Sequence, residues 1–198
     1  MRWIFKTYVH WAVGRHFKAV DFNRLDVDDH RSVLLVANHF SIWDALLLYI
    51  ITPKAFGKKF HVMILEETAR REPMLKYGGA FAVRKEGKSI LESIDHAARL
   101  LNDPQNLVLI FPQGKLYSNF VDELHFEKGI MRVMEEAAGR FQLIYAATFI
   151  ENFRSKKPSA NIYLHKVINC KFDSITTFTA DYRQHYHESK LQQTQIVL

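Results

Sequence analysis

The sequence predicts an α/β fold in which helices cover both faces of a mostly parallel sheet, preceded by an N-terminal amphipathic helix. Short apolar runs such as Val33-Leu-Leu-Val-Ala37 and Leu107-Val-Leu-Ile-Phe111 are typical of strands that are buried on both faces. Segments with the apolar spacing of helices alternate with these runs, an order that is typical of parallel sheets. The length of 198 residues suits a single core of this kind.

The first helix is expected over residues 1–20, and we place its boundary with the α/β domain of residues 25–198 after residue 24. Such a helix either lies in a membrane interface, with its rings among the headgroups, or packs on its own domain. The spacing of residues does not separate these two interpretations. The apolar face would hold Ile4, Phe5, Tyr8, Trp11 and Ala12, and the basic face Arg2, Lys6 and His10.

The remaining elements follow from runs, spacing and breakers. Pro53 is expected to end the helix that begins at Ser41. The segment that contains His185-Tyr-His187 reads as a polar tail. Strands are expected at residues 33–37, 61–65, 80–83, 107–111, 141–149 and 161–168, and helices at residues 41–50, 66–76, 90–101 and 128–138.

Composition limits the compartment and the partners. The formal charge of +6 favours a phosphate-bearing partner, such as anionic lipid, a phosphorylated substrate or nucleic acid. The dispersed cations and the absence of a nucleic-acid motif speak against nucleic acid. Cys170 is the only cysteine, which favours a reducing compartment. The longest uncharged apolar run, residues 45–52, is too short to span a bilayer, and charges interrupt the first 20 residues too often for a signal peptide. We therefore expect a cytoplasmic protein.

The sharpest motif is Asn38-His39-Phe-Ser-Ile-Trp-Asp44, directly after a predicted strand. Ligands bind at the carboxyl ends of strands in open α/β sheets. A turn between His39 and Asp44 would let the carboxylate orient the imidazole, whose other nitrogen could then take a proton from a hydroxyl. Alternatively, Ser41 and Asp44 form a capping box at the helix start and His39 is an ordinary loop residue.

Two further segments carry candidate binding groups. Arg84 could clamp a phosphate, or it is a solvated charge at a strand end. Phe111-Pro112-Gln113-Gly114-Lys115 follows a buried strand, and its glycine would let backbone N–H groups approach a ligand, or the segment is a plain turn. Lys115 could hold a phosphate as a point charge. Phe40 and Trp43 either line an acyl site or pack in the core.

Four ordered blocks resemble the glycerolphosphate and lysophosphatidic acid acyltransferases. Asn38, His39 and Asp44 match the His-x4-Asp motif of that family, which usually follows an Asn. Gly79-Ala-Phe-Ala-Val-Arg84 is similar to its second block, Phe111-Pro-Gln-Gly-Lys115 to its Phe-Pro-Glu-Gly-Thr block, and Phe126-Glu-Lys-Gly129 loosely to the step that follows. The third block departs from the family at two positions, since the family usually has Glu at Gln113 and Thr at Lys115.

The resemblance implies catalysis by His39 and Asp44, with Asn38, Arg84, Phe111, Pro112, Gln113, Gly114 and Lys115 around the substrates. It implies an acyltransferase of lipid metabolism and phospholipid biosynthesis, peripheral on the inner face of the cell membrane. The fatty acyl group would pass from acyl-CoA or acyl-carrier protein to a hydroxyl of a lysophospholipid or a related lipid alcohol. No cofactor beyond this co-substrate and no metal is expected. The alternative is a non-catalytic lipid-binding protein on the same fold, with Gln113 marking the loss of activity.

Overall fold

The structure is a computed structural model that describes residues 1–83 and 88–197. Within these residues it has a seven-stranded sheet flanked by helices. The strands are β1 (Ala19–Phe22), β2 (Ser32–Ala37), β3 (Lys59–Leu65), β4 (Ala80–Val83), β5 (Asn106–Ile110), β6 (Phe141–Glu151) and β7 (Ser159–Lys166). The helices are α1 (Arg2–His16), α2 (Trp43–Ala55), α3 (Glu66–Arg71), a 3-10 helix (Pro73–Gly78), α4 (Lys88–Leu100), α5 (Gly129–Glu136) and α6 (Ile175–Thr194).

The sheet has the strand order β1-β7-β6-β2-β5-β3-β4. Every neighbouring pair is parallel except β6 and β7, which are antiparallel. The carboxyl ends of β2, β3, β4, β5 and β6 therefore lie at one edge, which we call the carboxyl edge. Because β7 and β1 run in the opposite direction, they begin at this edge, and the end of α1 lies there too.

The core has two layers, one on each face of the sheet. Leu34 and Val36 of β2 pack among side chains of α4, α5 and α6. Their neighbours Val33 and Leu35 face the other way and pack with α1 and α2. The period of two along β2 thus fills both layers, and all six of its residues are buried. The predicted fold class, a mostly parallel sheet with helices on both faces, is confirmed.

The N-terminal helix differs from the predicted amphipathic helix. It ends at His16, and Ala19–Phe22, which the prediction divided between the helix and a turn, forms an edge strand beside β7. The predicted apolar face is divided as well, because apolar side chains lie on both the inner and the outer side of α1. The inner side buries Phe5, Val9, Ala12 and Val13, whereas the outer side exposes Trp3, Ile4, Tyr8 and Trp11.

The prediction of a polar tail was wrong, because residues 175–194 form α6. Ser174 and Thr177 make a reciprocal capping box at its start. Phe178, Tyr182 and Tyr186 recur every four residues, so they share one face and are buried against the sheet.

Two other helix features bear on the predictions. Pro53 does not end α2 but lies within its last turn, and the helix continues to Ala55. In the part of the chain that the structure describes, no helix combines the length and the apolar character needed to cross a bilayer.

Candidate active site

The His-x4-Asp motif forms the loop between β2 and α2, at the centre of the carboxyl edge. Because residues 38–44 contain the predicted catalytic pair, we call them the catalytic loop. At its start, the buried Asn38 side chain is bound to the neighbouring strand β6. Its Oδ1 accepts from the Thr148 N–H at 2.9 Å, and its Nδ2 donates to the Thr148 carbonyl at 3.2 Å. The Asn38 amide therefore holds the loop to the sheet, at a position where we had expected contact with substrate.

His39 and Asp44 form a hydrogen-bonded pair. Nδ1 of His39 lies 2.9 Å from Oδ2 of Asp44, which is fully buried, while the His39 side chain is 24% exposed. Because an ionised carboxylate only accepts, Nδ1 carries the proton and Nε2 has the free lone pair. The pair thus has the geometry of a general base with its orienting carboxylate.

The same Asp44 oxygen also shapes the loop. It accepts from the backbone N–H groups of Phe40 at 2.8 Å and Ser41 at 2.9 Å. The contact with Ser41 is one half of the predicted capping box, but Ser41 Oγ accepts from the Trp43 N–H instead of completing it. The capping contact and the contact with His39 are therefore compatible, since the same carboxylate oxygen stabilises the start of α2 and holds the imidazole.

The segment after β5 contacts His39 from a second side. The Phe111 ring stacks on the His39 ring, with centroids 4.1 Å apart and planes 18° apart. Gln113 is buried, and its Oε1 accepts from the His39 N–H at 2.6 Å. The Tyr117 N–H donates to the His39 carbonyl at 3.0 Å. Residues 111–117 therefore contact the ring of His39 and bind both its N–H group and its carbonyl.

The remaining residues of this segment form a turn. The Gly114 N–H donates to the Phe111 carbonyl at 3.2 Å, and the buried Pro112 offers its carbonyl to the Glu127 N–H at 2.8 Å. Gly114 has φ +65°, and a Cβ at this position would approach Glu127 Cγ to 3.4 Å. Lys115 is exposed, with Nζ 5.3 Å from the Tyr117 ring centroid. The Gly114 N–H, a predicted donor to substrate, is therefore used within the turn.

The predicted phosphate clamp Arg84 lies outside the described residues. The preceding strand, β4, is the last strand of the sheet at the opposite end from β1. It ends with Val83 at the carboxyl edge. The role of Arg84 stays a prediction.

Sequence reasoning missed three residues that support the catalytic loop. Thr148 and Tyr117 bind it through backbone groups, which no side-chain pattern announces. The third is Tyr182 of α6, which donates to the Ala146 carbonyl at 2.7 Å. Burial raises the pKa of Tyr182, whose hydroxyl lies beside the Asn38 backbone. The four-residue aromatic spacing of α6 is the one signal that could have revealed it.

A pocket of about 440 Å³ opens beside the catalytic loop. Phe40 and Trp43 line this pocket, and both side chains are partly buried. Trp43 also contacts the Phe17 ring edge to face, with centroids 5.2 Å apart. Other lining residues are His16 at the end of α1, Phe17 directly after it, Asn119, and Pro158 directly before β7. An aromatic pocket next to the predicted general base suits a substrate with an apolar part.

Comparison with known families agrees with this geometry. A family model described as Acyltransferase matches residues 19–150, a range that contains the catalytic loop and the turn after β5. No curated protein sequence matches the chain at a significant level. The fold, the His39–Asp44 pair and the matched range together establish that the chain belongs to the acyltransferase family of the glycerolphosphate and lysophosphatidic acid acyltransferases.

Proposed function

We propose that this chain transfers a fatty acyl group from a thioester donor to the hydroxyl of a lipid acceptor at a membrane surface. The observation that carries the proposal is the His39–Asp44 pair, held at 2.9 Å at the carboxyl edge beside an aromatic pocket. Membership of the acyltransferase family supports acyl transfer in general. The donor, the acceptor and the site of action are the parts that we propose.

In the proposed step, Nε2 of His39 takes the hydroxyl proton as the acceptor oxygen attacks the thioester carbonyl carbon. The carbon–oxygen bond forms, and the tetrahedral intermediate then releases the sulfur. The imidazolium returns its proton to the leaving thiolate, so the products are an ester and a free thiol. Asp44 stabilises the imidazolium, and within the described residues its second oxygen is buried without a hydrogen-bond partner.

The developing oxyanion needs donors close to His39. We propose backbone N–H groups of the turn after β5, other than that of Gly114, because the Phe111 stack places this turn beside the imidazole. In known enzymes such a donor contributes about 3 kcal/mol to transition-state stabilisation. The chemistry uses side chains, backbone and the thioester, so we propose no cofactor beyond the acyl-CoA or acyl-carrier protein co-substrate.

The outer side of α1 supports a peripheral position on the inner face of the cell membrane. Trp3 is 75% exposed and Trp11 63% exposed. Aromatic rings in a helix that also carries cations favour the interface of a bilayer with anionic lipid. The acceptor in this proposal is a lysophospholipid or another lipid alcohol that reaches the pocket from the bilayer.

Gln113 bears on the alternative, a non-catalytic lipid-binding protein on the same fold. Its Oε1 accepts from the His39 N–H, a role that a Glu oxygen could also fill. The neutral residue therefore keeps the contact that positions the base, and its presence does not favour the alternative. Gln113→Glu should retain transfer, whereas Gln113→Ala should lower kcat about tenfold or more, because the partly buried His39 N–H loses its acceptor.

The deciding experiment supplies purified protein with labelled acyl-CoA or acyl-carrier protein and a total lipid extract, and identifies the labelled product. We expect an acylated lipid with the wild type and none with His39→Ala, whose fold is checked by circular dichroism. Asp44→Asn should leave a residual rate lower by roughly 10³- to 10⁴-fold, because the imidazole remains without its charged partner. Wild-type turnover by a folded His39→Ala protein would exclude this mechanism, and no transfer from either donor would favour the lipid-binding alternative.

A further inference from the structure

Exposed apolar side chains flank the mouth of the pocket. Ile42 lies in the catalytic loop between the lining residues Ser41 and Trp43 and is 74% exposed. Phe120 follows the lining residue Asn119 and is 84% exposed. Large apolar groups that are exposed around a pocket mark a contact surface rather than core packing.

The turn between β6 and β7, residues 152–158, adds cations beside the same mouth. Arg154, Lys156 and Lys157 are exposed, and none of them has an ion pair within residues 1–83 and 88–197. The same turn presents Phe153 at φ +46°, a left-handed conformation that is uncommon for a bulky residue. A turn with unpaired cations and an exposed ring is complementary to an anionic, partly apolar surface.

This turn is attached to α1. The Lys18 N–H donates to the Pro158 carbonyl at 2.8 Å, and Lys157 Nζ donates to the Gly14 carbonyl at 3.1 Å. The pocket wall includes Pro158 from the turn and His16 from α1. The C-terminal end of α1, the cationic turn and the pocket mouth are therefore neighbours.

We propose that Ile42, Phe120 and residues 152–158 form a second membrane contact, in addition to α1, whose occupant is a bilayer that contains anionic lipid. This inference rests on the membrane site of the proposed function and adds its orientation. Apolar side chains enter the interface while the cations meet phosphates, so the bilayer lies across the mouth of the pocket. A lipid acceptor then reaches His39 without leaving the interface. Charge complementarity and the apolar rim favour a bilayer over an acidic protein.

The test measures binding of the full chain to vesicles of phosphatidylcholine with 30% phosphatidylglycerol over a series of salt concentrations. One variant removes the turn's charges (Arg154→Gln, Lys156→Gln, Lys157→Gln), and a second is Phe120→Ser. The matched control removes three exposed charges at the opposite edge of the sheet (Lys54→Gln, Lys59→Gln, Arg99→Gln). The residues changed in all three variants lie outside the His39–Asp44 pair and its supports, and thermal melts verify their folds.

We expect the turn variant to bind about 100-fold more weakly at low salt, at about fivefold per charge, and the difference to shrink as salt increases. Phe120→Ser should bind about tenfold more weakly at every salt concentration, because its contribution is apolar. The control should stay within about threefold of the wild type, since its charges face away from the bilayer.

Equal binding by the turn variant and the wild type, or an equal loss in the control, would overturn the inference. So would an undiminished affinity for vesicles combined with the loss of an acidic protein partner. Transfer to a water-soluble short-chain acceptor is measured in parallel and should not change in the turn variant. If the wild type transfers nothing while vesicle binding still depends on the turn, the proposed function fails and the membrane contact stands.

Discussion

The first and last helices use their aromatic residues in opposite ways. In α6, Phe178, Tyr182 and Tyr186 are at most 1% exposed and pack against the sheet. In α1, Trp3 and Trp11 point outward, and the inner side is filled by smaller apolar residues and Phe5. Both helices reach the catalytic loop. The Tyr182 hydroxyl of α6 lies beside the Asn38 backbone, and the His16 ring at the end of α1 contacts the Trp43 ring, with centroids 5.0 Å apart.

The difference shows that this chain does not expose the aromatic rings of every helix. A helix that needed its rings only for stability would bury them, as α6 does. The outward rings of α1 contribute little to folding, as expected if they meet the bilayer in the way that we propose. We expect the inner side of α1 to stabilise the fold as α6 does, and the outer side of α1 to contribute little to stability.

The largest loss of stability is expected from deleting residues 1–17. This removes four large buried side chains, Phe5, Val9, Val13 and Phe17, and uncovers the layer above β2 and α2. Full burial of such a side chain contributes about 1.5–3 kcal/mol, so the sum approaches the whole stability of a domain. The truncated chain should be insoluble or lack a cooperative thermal transition. A truncation that melts like the wild type would show that α1 is only an appendage.

Tyr182→Ala should lower the free energy of unfolding by about 3–5 kcal/mol, because it opens a cavity in the core. Trp11→Ala, the matched aromatic truncation on the outer side of α1, should change it by less than about 0.5 kcal/mol. Urea denaturation measures both. A comparable loss of unfolding free energy in the two variants would contradict the proposed difference between the helices.

The free energy of unfolding should depend on pH through His185, a buried residue of α6. Burial, followed by the charge of the nearby His165, lowers the pKa of His185 to about 4. The unfolded chain binds this proton near pH 6.5 and the folded chain only near pH 4, so stability is lost as pH falls between these values. The loss amounts to about 3 kcal/mol. His185→Gln should flatten this part of the curve, and an unchanged slope would exclude His185 as its source.

The smallest change in the free energy of unfolding is expected from the loss of a single hydroxyl group. Tyr182→Phe keeps the ring but removes the hydrogen bond to the Ala146 carbonyl, which should cost about 1 kcal/mol. Tyr8→Phe makes the same change on the exposed side of α1 and should have no measurable effect on unfolding. If Tyr182→Phe also lowers kcat with KM unchanged, the hydroxyl positions the catalytic loop as well as stabilising it.

The predictions from sequence were best where a pattern is local. Continuous apolar runs located β2 and β5 closely, and the spacing of His39 and Asp44 correctly predicted that these two side chains meet. Strand β1 was missed because its four residues lie at the edge of the sheet and are only partly buried, which leaves no apolar run. The reversal of β7 was not predicted, since strand direction depends on pairing and not on composition.

The supports of the site were predicted least well. Gln113 was expected to contact substrate, yet its side chain turns back to the His39 N–H. Tyr117 and Thr148 act through backbone groups, which every residue type possesses. Such contacts depend on the three-dimensional meeting of segments, so no residue-type pattern could indicate them. For α6, the many polar residues on its outer side concealed the aromatic spacing on its inner side.

The attachment of His39 has a consequence for how the protein becomes active during folding. Its backbone N–H is held by Gln113, 74 positions away in sequence, and the preceding Asn38 is held by Thr148, 110 positions away. The helix that carries Tyr182 comes later still. Contacts of such high sequence separation form only when most of the chain has collapsed. Enzymatic activity should therefore return during refolding no earlier than the fixed environment of the buried aromatic rings, and a nascent chain that lacks its last helix should remain inactive.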